Sequence, residues 1–174
     1  MAKIALMGGI RTGKDTIGLL LTNHIRLAFG DEMRDSFHRD FPHIPMLPKP
    51  REEYIEYSTE KVKENKMVWV SGVEKKLHTL EAAGIKDFVI TDLRQPHEYE
   101  WAKENGFIFA RVLAFSEQQI ERAQKEGDKT IDVNNHLDSF IHNFKHNFII
   151  MNTGTIEDLA EEVNKLMEKI KQED

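Results

Sequence analysis

Near the N-terminus, Gly8-Gly9-Ile10-Arg11-Thr12-Gly13-Lys14 combines residue types and a spacing suited to gripping a chain of phosphates. Glycines let the backbone curl so that successive N–H groups turn inward toward anionic oxygens. The run follows the apolar strand pattern Lys3-Ile4-Ala5-Leu6-Met7 and opens directly into a helical pattern, whose positive dipole end adds to the same field. Lys14 would then reach the β- and γ-phosphates as a point charge. A glycine-rich turn without a ligand is the plain alternative, and the coincidence of strand, spacing, lysine and helix speaks against it.

The residue after the lysine is Asp15 where this motif usually carries Ser or Thr, and a hydroxyl follows only at Thr16. Either Asp15 reaches Mg²⁺, directly or through water, or it favours the helix N-terminus while Thr16 touches a phosphate. A second acid, Asp92, ends the buried strand pattern Phe88-Val89-Ile90-Thr91, the form of the second metal-binding element in phosphate-loop enzymes. A turn or helix cap is its ordinary alternative. Transfer between two phosphates needs positive charge, and arginine forks match phosphate oxygens. The candidates are Arg11, Arg34, Arg94, Arg111 and Arg122, each with a surface ion pair as its bland reading. Arg122 lies in the polar stretch 118–129, which is either a short lid or a solvated helix. His142 and His146 share an i, i+4 spacing but lack a zinc-site pattern, and read as surface or packing groups.

These residues need a frame to bring them together. Short apolar runs alternate with longer segments of helical period, the pattern of βαβ units around a parallel sheet. Strands are expected at 3–7, 88–91, 107–113 and 147–151, with a fifth near 26–29, buried on both faces. Helical stripes place Ile17, Leu20, Leu21, Ile25 and Ala28 on one face, and Ile156, Leu159, Ala160, Val163 and Ile170 on another. Thr155 and Asp158 form a capping pattern, and Pro96 and Gly106 bracket a further helix. Proline-rich 42–50 reads as a loop or hinge, and 51–66 as a charged, solvated helix. The expectation is an α/β fold of three layers, with a five-stranded parallel sheet and helices on both faces.

Composition narrows the function. A 174-residue chain with 40% hydrophobic content can bury one sizeable core, so one domain over 1–174 is expected. The absence of a leader pattern and of any bilayer-length apolar run predicts a cytoplasmic protein with no membrane partner. With no cysteine, disulfides, thiolate metal sites and thiol nucleophiles are excluded. A net charge of −6 argues against binding a nucleic-acid polymer, while a few local arginines suffice for a small anionic ligand. A homodimer is left open.

With these residues in place, the chain resembles the phage and bacterial deoxynucleoside monophosphate kinases of the P-loop nucleotide-kinase superfamily. The matching parts are Arg11 with Gly13-Lys14-Asp15-Thr16; Ala28-Phe29-Gly30-Asp31 with Arg34; Ile90-Thr91-Asp92-Leu93-Arg94 with Glu98; and Asn152-Thr153-Gly154-Thr155. The resemblance implies the P-loop nucleoside triphosphate hydrolase fold, with ATP and Mg²⁺ as cofactors and nucleotides as small-molecule substrates. It implies that Gly8 to Thr16 hold ATP, that Gly154 and Thr155 lie near adenine, and that Asp15, Thr16 and Asp92 serve the metal. Lys14, Arg11, Arg94 and Arg122 would act in catalysis, and Asp31, Arg34 and Arg94 would bind the acceptor. The acceptor segment spans about 31–66 and a short lid about 116–133. His136-Leu137-Asp138-Ser139 matches the lid-end motif only in part. The Gly-Lys-Asp form also looks like the loop of animal phosphomevalonate kinases. Another acceptor, such as the hydroxyl used by dephospho-coenzyme A kinases with Asp31 as base, is one alternative. A non-catalytic nucleotide-binding protein is another.

Overall fold

The structure, a computed structural model, describes residues 1–125 and 136–173, apart from the side chains of 136–139 and 173. Five strands form one parallel sheet in the order β2-β3-β1-β4-β5. They are β1 (Lys3–Met7), β2 (Ile25–Leu27), β3 (Phe88–Ile90), β4 (Ile108–Leu113) and β5 (Phe148–Met151). β1 lies at the centre, with Ala5 opposite Ile90 on one side and Phe109 on the other. Its residues Ile4 to Met7 have no exposed surface, as expected for a strand covered on both faces.

The helices are α1 (Lys14–Leu20), α2 (Phe29–Asp40), α3 (Arg51–Glu64), α4 (Val68–Ala82), α5 (Pro96–Glu104), α6 (Ser116–Lys125) and α7 (Ile156–Glu173), with a 3-10 segment over His136–Asn143. Contacts group the chain into two compact units: Met1–Arg26 with Lys86–Asp174, and Leu27–Ile85. In the first, Ile17 and Leu21 pack with Leu159, Val163, Leu166 and Ile170 of α7 over Ile4, Leu6, Val112 and Ile150. Tyr99 stacks on Phe144 at 4.5 Å and tilts against Phe109 at 4.4 Å. Arg111 donates to the carbonyls of Ile141 and Phe144, which ties the 3-10 segment to β4.

The second unit is helical. Phe37 of α2 is 2% exposed and meets Tyr54 and Tyr57 of α3 edge-on at 4.9 and 5.4 Å. The helix over 51–64 therefore has a buried aromatic side beside its charged one.

The expectation for the first helix needs correction. α1 stops at Leu20, and Ile25 belongs to β2 while Ala28 caps α2, so neither extends the α1 stripe. The Leu21 N–H bonds the Ile17 carbonyl and the His24 N–H bonds the Leu21 carbonyl, turning the chain within a few residues. The short strand begins one residue earlier than the expected 26–29 and ends at Leu27.

Candidate functional site

β1 ends at Met7, and the next residues curl before α1 begins. Arg11 has φ 59° and Gly13 has φ 97°, so two left-handed residues flank Thr12. Such a sequence of turns directs main-chain N–H groups toward a common centre. Gly8 and Gly13 are required for different reasons. A Cβ on Gly8 would lie 2.4 Å from the Val112 carbonyl oxygen, and one on Gly13 would lie 2.2 Å from the Asn152 amide nitrogen. Gly9 supplies a carbonyl that receives the Thr12 hydroxyl at 3.0 Å, and Ile10 sits half-buried between.

Lys14 opens α1 yet is 7% exposed. Its ammonium donates to the carbonyls of Gly8 and Gly9, both at 2.7 Å, so its charge is held over the curl. That holds a buried cation against the main chain of the curl.

Next to the curl is a cavity of about 270 Å³ lined by Gly13, Thr16, Arg122, Asn152, Gly154, Thr155, Ile156 and Leu159. Much of its lining comes from the residues just after β5 and from the start of α7. The Thr155 N–H donates to the Asp158 carboxylate at 2.8 Å, and the Asp158 N–H donates to the Thr155 hydroxyl at 3.2 Å, the expected reciprocal cap. The Thr155 N–H foremost, and then the Thr155 hydroxyl donating to the same carboxylate at 3.0 Å, hold the Asp158 carboxyl below the usual carboxylate range. Arg122 of α6 points to this cavity, donating to the Arg11 carbonyl and to Asn152 at 3.2 Å each. The predicted lid thus begins as a helix whose Arg122 faces inward, while Lys125 pairs with Glu121 at 2.7 Å on its exposed side. Residues 126–133 of that lid lie outside the described residues, as do the side chains of 136–139.

The acids stand on the same edge of the sheet. Arg26, at the start of β2, donates to the Thr91 hydroxyl at 3.1 Å and lies 3.9 Å from the Asp15 carboxylate. It therefore brings the first turn of α1 beside the end of β3, where Asp92 follows. Among the described residues no group of three His, Asp or Glu could hold a metal by itself. The oxygen donors of Asp15, Thr16 and Asp92 suit Mg²⁺, which usually takes few protein ligands and completes its shell with phosphate and water oxygens.

Beyond Asp92 the chain turns into α5 through a capping box. The Glu98 carboxylate accepts the N–H groups of Arg94 at 2.8 Å and Gln95 at 2.9 Å. Burial pushes the Glu98 carboxyl up to about 7 even though both donors oppose that rise, and nearby Asp92 adds to it. Arg94 is thus carried on a turn fixed by a buried acid.

Arg34 and Asp31 lie in the second unit, where the guanidinium pairs with the carboxylate one helical turn before it on α2. Arg111 makes structural bonds to the 3-10 segment, and His142 and His146 are exposed. Two residues of the site were absent from the sequence candidates. Arg26 stood only as the first residue of the expected strand 26–29, and Asn152 only as the start of the matching segment Asn152 to Thr155. The only signal for either was a polar side chain at the end of an apolar run.

This order of strands, with a glycine curl between β1 and α1, is the expected P-loop nucleoside triphosphate hydrolase fold. No family model matches the sequence, and no curated protein matches it. Solved structures with this fold include TT1252 from Thermus thermophilus, at TM-score 0.61 and 17% identity over 97% of this chain and 98% of that one. A sugar kinase from Janibacter sp. HTCC2649 aligns at TM-score 0.60 and 12% identity, over 97% and 95%. Dephospho-CoA kinase from Campylobacter jejuni aligns at 0.57 and 16%, over 97% and 96%. At these identities the likeness concerns the fold.

Proposed function

We propose that this protein transfers the terminal phosphoryl group of ATP to a deoxynucleoside monophosphate, giving the diphosphate. The observation that carries the reading is the left-handed curl at Arg11 and Gly13 with the buried Lys14 ammonium held over it. The adjoining cavity at Gly154 and Thr155 has room for a flat base, and Arg122 offers a planar cation at its side.

In this account Gly8 to Lys14 bind the triphosphate through backbone N–H groups, and Lys14 offsets charge building between the β- and γ-phosphates. Mg²⁺, when bound through Asp15, Thr16 or Asp92, would neutralise the phosphate oxygens further. Arg94, on the turn before α5, offers positive charge for the acceptor phosphate, and on α2 Arg34 offers the same, oriented by its pair with Asp31. A phosphate acceptor is already nucleophilic, so the reaction needs positive charge and exclusion of water rather than a base. Arg11 adds a further cation from within the curl. Small nucleotides are the ligands of this reading, and it involves neither a nucleic-acid polymer nor a membrane. Among the described residues, no helix is long and apolar enough to cross a bilayer.

The test is incubation with ATP, Mg²⁺ and each nucleoside monophosphate, following ADP. Acceptor-dependent ADP with a deoxynucleoside monophosphate supports the reading; tight ATP binding with no ADP from any acceptor overturns it and leaves a nucleotide-binding protein.

The fold shared with a dephospho-CoA kinase favours a second reading, in which the acceptor is a hydroxyl and Asp31 takes its proton. Near-complete loss of turnover in Asp31→Asn would select it. A mild defect in acceptor binding would select the phosphate acceptor.

A further inference from the structure

Asn152 is 5% exposed, one of few buried polar side chains among the described residues, and it sits where β5 runs out toward the cavity. Its main chain is fixed by the sheet, with its N–H donating to the Leu113 carbonyl at 2.7 Å. Its amide nitrogen donates to the Thr12 carbonyl at 2.8 Å, a partner 140 residues away in the chain. Its amide oxygen accepts from Arg122 at 3.2 Å, and the same guanidinium donates to the Arg11 carbonyl at 3.2 Å. The Arg11 and Thr12 carbonyls, on either side of the left-handed turn, are therefore both claimed by one Arg122–Asn152 pair.

We infer that Asn152 is a positioning residue for the phosphate cradle, its amide clamping the Arg11–Gly13 turn so that the N–H groups stay aimed inward. The chemistry admits few substitutes. The Thr12 carbonyl needs a donor, Arg122 needs an acceptor, and only a carboxamide offers both at the ends of one short planar group. An aspartate of equal shape would keep Arg122 but set a lone pair against the Thr12 carbonyl. Gly13 completes the fit, because any side chain there would strike the Asn152 amide. The clamp also joins two parts of the ligand site, since Arg122 and Asn152 line the cavity beside the curl whose carbonyls they hold.

The inference rests on reading residues 8–14 as a phosphate cradle, and the test separates the two. Binding of inorganic tripolyphosphate and of adenosine is measured by titration calorimetry for the natural protein, Asn152→Asp and Asn152→Ala, with thermal melts to confirm folding. Asn152→Ser replaces either variant if it melts early. Both substitutions should weaken tripolyphosphate about ten- to a hundredfold, the loss expected when a buried bond is left unmade, and adenosine, whose cavity Asn152 also lines, by a clearly smaller factor. Amide hydrogen exchange at 11–14 should quicken in Asn152→Asp, with the central strand unchanged. Tripolyphosphate binding at the natural strength in Asn152→Asp overturns the inference, as does an equal loss of adenosine, which would make Asn152 a wall of the base pocket. If the natural protein binds neither tripolyphosphate nor ATP, the cradle reading itself fails and the clamp falls with it.

Discussion

The two units of this chain use polar groups in opposite ways. In the first, the buried polar residues Thr12, Lys14 and Asn152 stand at a backbone curl, Thr91 and Glu98 lie at and beyond the end of β3, and the run Ile4 to Met7 that leads into the curl is wholly apolar. In the second, polar atoms decorate an aromatic core: the Tyr57 hydroxyl donates to Asp40 at 2.7 Å and meets Ser36 at 2.8 Å, and Tyr54 meets His38 at 2.7 Å. One arrangement spends its buried polarity on holding main-chain groups ready for an anion, and the other uses it to satisfy hydroxyls that the aromatic packing has drawn inside. Loss of a single residue at the curl is thus expected to end transfer with the fold intact, whereas the aromatic core of the second unit should lose stability in proportion to what is removed.

The sharpest break in that contrast is Lys14→Ala. Transfer should fall on the order of a thousandfold, as for loss of a preorganised charge at a phosphoryl centre, with the melting temperature nearly unchanged. Steady-state ADP release and a thermal scan measure both. In the second unit Phe37→Ala should cost ~3–5 kcal/mol by denaturant unfolding, since the ring is buried among Tyr54, Tyr57 and Phe41. A cost near zero would mean that the aromatic cluster does not hold that unit together.

Glu98 supplies a test by pH. Its carboxyl is raised from 4.5 to about 7 in the folded protein. Folding therefore favours its neutral form, so its contribution to stability is full below the unfolded value and is lost as pH rises through about 7. Replacing it in Glu98→Gln should remove a slope worth ~3 kcal/mol across that window, measured as unfolding free energy against pH. An unchanged slope contradicts the burial argument. The smallest effect is Tyr57→Phe, which leaves the ring packing and removes one hydroxyl, at ~1 kcal/mol.

The same contrast governs what the sequence makes legible. Sheet and glycine curl could be read because a continuous apolar strand, a glycine spacing and a lysine are local signals, and so is the Thr155–Asp158 cap. The end of α1 was misread because Ile25 and Ala28 continue its apolar period by coincidence, and no glycine or proline marks the turn after Leu21. For 51–64, helix was read correctly but its buried side was not, because two tyrosines among many charges weigh little until Phe37 is placed against them. Arg26 and Asn152 escaped for a related reason. Each acts on a partner far along the chain, Thr91 and Thr12 respectively, and no local pattern carries that pairing. The candidate acceptor residue Arg34 sits within α2 and Arg94 on the turn before α5, and the sequence locates both without saying what they hold.

The most direct test is a crystal structure of the protein with a non-hydrolysable ATP analogue and Mg²⁺. The account predicts the triphosphate inside the curl of residues 8–14, with the Lys14 ammonium moved from the Gly8 and Gly9 carbonyls onto the β- and γ-phosphates. It also predicts adenine between Arg122 and Gly154. A nucleotide bound elsewhere, with Lys14 still on those carbonyls, would contradict it.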